Sequence, residues 1–140
     1  MKSRALITGA STGIGYAYAK HLSKDGWILD LISENAERSI RSEERLDYPD
    51  ANFYLADLSK KSSIKEIISN YETPDLIVAN AGIAINGSIG KLSESQKEDA
   101  YYLMCGGIID LIEGFAPKMI KKGTGRIVII SSIGAITAMP

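Results

Sequence analysis

Short runs rich in apolar residues alternate along this chain with longer stretches where apolar residues recur every three or four positions. The runs fall at 5–7, 27–32, 52–56, 76–79 and 126–130. A strand covered on both faces has no polar side, so it reads as a run and not as strict alternation. Ile14, Tyr18 and Leu22 form one stripe and predict a helix over 13–25, stopped by Gly26. Residues 36–47 carry mixed charge, with Glu34–Arg38 and Glu37–Arg41 at helical spacing, and predict a short solvated helix ended by Pro49-Asp50. Ser63-x-x-Glu66 reads as a capping box, followed by the stripe Ile64, Ile67, Ile68 and Tyr71. Thr73-Pro74-Asp75 ends that helix, and after the fourth run a loop reaches about residue 90. A second capping box, Ser93-x-x-Gln96, opens a long helix to Lys122. Gly106, Gly107 and Gly114 predict close packing there, Pro117 a kink, and Gly123 and Gly125 the stop. Strand and helix therefore alternate throughout, which implies a parallel sheet with helices on both faces.

The junction of the first strand and first helix carries the densest candidate chemistry. It reads Thr8-Gly9-Ala10-Ser11-Thr12-Gly13-Ile14-Gly15. Gly9 permits a sharp turn, and Gly13 and Gly15 permit close approach to the first helical turn. That turn holds unpaired N–H groups and about half a positive charge, which suits a pyrophosphate. Ser11 and Thr12 can add hydroxyl donors. The spacing is G-x-x-x-G-x-G; it is neither the commonest dinucleotide fingerprint nor a P-loop. A plain glycine turn without a ligand is the other reading. Glu34 follows the second strand, about 20 residues on, where a dinucleotide site places a carboxylate for the ribose hydroxyls. Otherwise it only begins the next helix. The ends of the other strands carry Asp57, Asn80 and Ser132, which the fold should gather at one edge. Asp30 interrupts the second strand and is expected to face the rim of the sheet, with a functional partner as the alternative.

Composition narrows the classes. The chain has 140 residues and a net charge of −1, enough for one domain, spanning 1–140, and no pointer to nucleic acid or a membrane surface. One cysteine, Cys105, and one histidine, His21, exclude a disulfide framework and disfavour a metal site; His21 reads as a surface or boundary residue. Neither a signal peptide nor a membrane span stands out, so a cytoplasmic location is expected.

Together these motifs resemble the short-chain dehydrogenase/reductase family. The matching pieces are Thr8 to Gly15, then Asp57-Leu58, then Asn80-Ala81-Gly82, then Gly125-Arg126-Ile127-Val128-Ile129-Ile130-Ser131-Ser132. The resemblance implies a three-layer α/β fold of the Rossmann type, about five parallel strands in the order 3-2-1-4-5, and a cofactor, NAD or NADP. The glycine turn (Gly9, Ser11, Thr12, Gly13, Ile14, Gly15) would hold its pyrophosphate. Asp57 would bond the adenine amino group and Leu58 would add a backbone contact. Asn80, Ala81 and Gly82 would border the cofactor ribose. Ser132 corresponds to the family's catalytic serine, and the implied reaction is hydride transfer between nicotinamide and a carbonyl or alcohol.

Two departures accompany the match. The family's Tyr-x-x-x-Lys helix follows the serine after a short loop, a place that falls beyond Pro140. Met104 stands where the family has an asparagine, and a thioether is a poor acceptor and no donor. The isolated chain is therefore expected to bind cofactor without fast hydride transfer. The alternatives are a non-catalytic dinucleotide-binding or assembly module, and, further off, another Rossmann-type enzyme such as a methyltransferase. Glu34 favours NAD, because a carboxylate repels a 2′-phosphate; Arg38 and Arg41 keep NADP open. A fifth strand without an outer neighbour leaves apolar residues bare, so self-association through that edge or the long helix is expected. The substrate is not legible.

Overall fold

The structure, a computed structural model, describes residues 2–84 and 90–137. Positions 85–89 of the expected loop, and Pro140, lie outside the described residues. Five parallel strands form one sheet in the order β3-β2-β1-β4-β5. They are β1 (Arg4–Thr8), β2 (Ile28–Ser33), β3 (Ala51–Leu55), β4 (Leu76–Ala79) and β5 (Arg126–Ile129). The helices are α1 (Gly13–Lys24), α2 (Ala36–Leu46), α3 (Lys61–Asn70), α4 (Glu94–Tyr101) and α5 (Gly107–Lys122). Sheet order and element sequence match the expectation.

The three inner strands are buried almost throughout, whereas β3 and β5 at the two edges are largely open. The inner strands read as unbroken apolar runs because both faces are covered. Ala5, Ile7, Leu29, Leu31 and Val78 pack with Ala19 and Leu22 of α1 on one face. Leu6, Ile32 and Ile77 pack on the other with Ile64 and Ile67 of α3 and Leu111, Phe115 and Met119 of α5. Burying each large side chain contributes about 1.5–3 kcal/mol.

Four local expectations need correction. On α1 the buried face is Gly15, Tyr16, Ala19 and Leu22, so Leu22 of the expected stripe is buried and Tyr18 partly so, while Ile14 is 54% exposed; Gly15 and Ala19 let the helix lie close to the sheet. α3 starts at Lys61, with Lys60 as an N-cap whose side chain makes no capping bond. The Ser63 box is unused because the Lys60 amide closes a turn on the Asp57 carbonyl at 3.2 Å and leads straight into helix. The Ser93–Gln96 box does form, in both directions. The long helix breaks its regularity at a π turn, Tyr102–Gly106, while α5 continues through Pro117. Close packing does occur at Gly114, where a Cβ would fall 2.5 Å from Ile68 of α3. Gly123 ends α5 with φ +77°.

Asp30 is the fourth. It is 2% exposed, on β2 between β1 and β3. The Arg4 Nη1 donates to both its oxygens, at 3.1 and 2.9 Å, and Asn52 Nδ2 donates at 3.1 Å. A buried charge requires such partners, so its partner is structural and lies within the sheet. His21 is exposed, 3.8 Å from Asp25.

Candidate functional site

The carboxyl edge of the sheet opens into a cleft of about 340 Å³. Its architecture starts at Thr8. The Thr8 hydroxyl accepts the amides of Asn80 and Ala81 at 2.9 and 3.0 Å, and the Asn80 Nδ2 donates back to the carbonyls of Thr8 and Gly9, both at 3.1 Å. These bonds join the ends of β1 and β4. They also fix the turn at Gly9, whose φ of +64° favours glycine. A Cβ on Gly9 would lie 2.9 Å from both Ala81 Cα and Asn80 Nδ2.

α1 begins immediately beyond. Thr12 precedes it in extended conformation and provides no side-chain cap, and its first turn holds no acidic residue. Among the described residues the first amides therefore have no side-chain partner, which leaves the positive end of the helix uncapped. Gly13 and Ile14 of that turn line the cleft. Gly15 plays another part: a Cβ there would lie 2.4 Å from the Gly9 carbonyl oxygen and 2.6 Å from Asn80 Nδ2. It lets α1 abut the turn, and it does not line the cleft.

Ten of the residues singled out from the sequence line this one cleft: Gly9, Ser11, Thr12, Gly13, Ile14, Glu34, Leu58, Asn80, Ala81 and Gly82. Asp57 does not line it. The Asp57 carboxylate accepts from the Ser59 hydroxyl at 2.6 Å and the Ser59 amide at 2.9 Å. Those bonds, the hydroxyl first, hold its pKa below the usual carboxylate value against an opposing cost of burial. Ser132 lies past the end of β5, where its hydroxyl accepts the Gly134 amide at 3.2 Å; it too is outside the cleft. Met104 lies in the π turn and is 43% exposed.

Several lining residues were not singled out, among them Ile32, Asn35, Ala56 and Leu103. Arg38, weighed only for the choice of cofactor, lines the cleft with Glu34 and Asn35, while Ile32, Ala56 and Leu103 join Leu58 in an apolar wall. Asn35 caps α2 by accepting the Arg38 amide at 2.8 Å. Asn35, with Glu34 before it, is a helix-start signal in the sequence. Leu103 has no sequence signal, because its direction depends on the π turn. The cleft thus combines a bare helix terminus, a charged end and an apolar slot. That arrangement suits an elongated anion with a flat apolar group.

The fold and this cleft define an α/β chain of the nucleotide-binding kind, with its site at the carboxyl edge of a parallel sheet. The chain belongs to the short-chain dehydrogenase family, whose pattern matches residues 3–140. It is 29% identical over 133 residues to an uncharacterized oxidoreductase of Staphylococcus epidermidis, covering 92% of this chain and 57% of that protein. A solved short chain dehydrogenase/reductase family protein superposes with a TM-score of 0.89 at 25% identity, covering 99% of this chain and 58% of the other. A short-chain dehydrogenase from Sphingobium yanoikuyae, solved with NADPH, gives 0.86 at 26% identity, covering 96% and 55%. The chain therefore spans somewhat over half the length of the relatives it matches.

Proposed function

We propose that this chain is the dinucleotide-binding domain of an NAD(P)-dependent oxidoreductase, with the reaction being hydride transfer between nicotinamide and a carbonyl or alcohol. The observation that carries the reading is the uncapped start of α1 on the cleft, beside the fixed Gly9 turn. The amides of Gly13 and Ile14, with Ser11 and Thr12, would bind the pyrophosphate. Glu34 would accept from the adenosine ribose hydroxyls. Leu58 and Leu103 would flank the adenine, and Asn80, Ala81 and Gly82 would border the other ribose. Asp57, kept ionised by Ser59, is an acceptor for the adenine amino group once an adenine reaches it. The bound nicotinamide supplies or takes up the hydride.

In this family's terms, Ser132 would polarise the substrate oxygen. Within residues 1–140 no Tyr-x-x-x-Lys follows Ser132, and Met104 stands at the family's asparagine. General acid help is worth about 10²–10⁴ in rate. The isolated chain should therefore bind dinucleotide and turn over slowly if at all. NAD is the preferred form in this reading, because Glu34 opposes a 2′-phosphate while accepting from a free hydroxyl. Arg38 at the same end is the counterweight, and the NADPH of the Sphingobium protein belongs to that protein alone. A location in the cytoplasm and association with a second copy are part of the proposal. No helix among the described residues is long and apolar enough to cross a membrane.

The test is a fluorescence titration of the purified chain with NADH and NADPH. Saturable binding, tighter for NADH, supports the reading. Absence of binding to either overturns it and leaves an assembly module as the remaining function.

A further inference from the structure

The π turn at Tyr102–Gly106 is a helical irregularity that the proposed chemistry leaves unexplained. Such turns insert a residue and redirect side chains, and they are frequent at functional sites. Both flanks of this one are tied to the same place. Lys60 Nζ lies 2.7 Å from Asp99 on α4, and Lys61 Nζ lies 3.2 Å from Asp110 on α5. The two lysines follow closely on Asp57-Leu58. Between the flanks, the Tyr102 ring rests along two glycines. A Cβ on Gly106 would fall 2.9 Å from that ring, and one on Gly107 would fall 3.4 Å from it. The Tyr102 hydroxyl then reaches Asp110 and donates at 2.7 Å.

Exposed ion pairs alone contribute little. The seated ring and its half-buried hydrogen bond are different, because they fix a direction. The next residue, Leu103, lines the cleft beside Ala56 and Leu58. Gly107 brings α5 close to the same wall: its Cβ would lie 3.4 Å from the Leu58 carbonyl oxygen. We propose that Tyr102 is a positioning residue for the adenosine end of the cleft, locking the π turn through Asp110 and Lys61 so that Leu103 forms the wall against which an adenine rests. This rests on the dinucleotide reading above. Burial first, and then the Asp110 carboxylate, push the Tyr102 phenol up to about 12, so it remains a donor across the neutral range.

Tyr102→Phe removes the hydroxyl and keeps the ring. Calorimetry with NADH, 5′-AMP and nicotinamide mononucleotide reads the two ends of the cleft separately. The expected result is a loss of roughly three- to tenfold for NADH and AMP, as for one hydrogen bond of ordinary worth, with the mononucleotide unchanged. Should Y102F fold poorly by urea denaturation, Leu103→Ala removes the wall without touching the latch and should give the same pattern. Unchanged AMP affinity, or an equal loss for AMP and the mononucleotide, overturns the inference while leaving the dinucleotide reading intact. A wild-type chain that binds none of the three overturns that reading, and this inference with it.

Discussion

Gly15→Ala adds one methyl group at the tightest contact in the site. Its carbon would lie 2.4 Å from the Gly9 carbonyl oxygen and 2.6 Å from Asn80 Nδ2, distances that no real Cβ tolerates. Backbone must give way, because the nearest atom is backbone. Overpacking of this kind costs about 1–3 kcal/mol. Displacing the Asn80 amide also threatens its two bonds to the Thr8 and Gly9 carbonyls, each worth about 0.5–1.5 kcal/mol. The expected loss of stability is therefore about 2–6 kcal/mol, a large part of a domain's total of roughly 5–15 kcal/mol. Gly13→Ala is the control. Nothing lies within 4 Å of its Cβ position, and its φ is +57°, so it should cost only the left-handed backbone penalty of about 1–2 kcal/mol. Urea denaturation of the three chains, followed by circular dichroism, measures both. A Gly15→Ala chain within about 0.5 kcal/mol of the parent, or one no worse than Gly13→Ala, would refute the claim that Gly15 permits helix–turn contact.

Three further outcomes follow from the same structure. Asp75 is partly buried, which by itself would raise its pKa, but Lys122, the Arg4 amide and Thr124 outweigh this and hold it below its ordinary 3.8. The unfolded chain therefore takes up the proton first as pH falls; the Asp75 contribution is complete above the unfolded value and is lost on acidification through the folded one, so D75N should flatten the acid limb of a stability–pH curve. Glu34→Ala should raise the affinity for NADPH relative to NADH by about tenfold, the worth of one like-charge contact beside a phosphate, and an unchanged ratio in paired fluorescence titrations would remove Glu34 from cofactor choice. Ile120 is 80% exposed, and Ile129 on the β5 edge is 53% exposed; the chain should associate in sedimentation at high concentration, with I120E and I129K each reducing it, and a monomer at all concentrations would contradict this.

The element sequence was legible because buried parallel strands and amphipathic helices leave opposite periodicities, whereas the sheet order came only with the family resemblance. Glycines with a backbone task, Gly9 and Gly123, were legible because a positive φ forces their residue type. What escaped was decided by packing between elements. The buried face of α1 turned on Gly15 and Ala19, where small size and not hydrophobicity sets the contact. The start of α3 turned on a bond from Lys60 to the Asp57 carbonyl, which no capping pattern encodes. Asp30 looked like an edge residue because its partners, Arg4 and Asn52, lie on two other strands. At the cleft, the lining residues from the strand ends were foreseen by topology, whereas Leu103 depends on a π turn stabilised by a contact eight residues along the chain. Asp57 and Ser132 carried a family position, and the folded chain holds both in local bonds, with Ser59 and Gly134 respectively.

The central claim is that the bare opening of α1 receives the linked phosphates of a dinucleotide. Titrating ¹⁵N-labelled chain with NADH and following backbone amide resonances tests it residue by residue. The account predicts the largest shifts at Gly9, Gly13, Ile14 and Gly15, saturating together with those at Glu34 and Leu58. Shifts confined to other surfaces, or saturation elsewhere with the α1 amides unmoved, would contradict it.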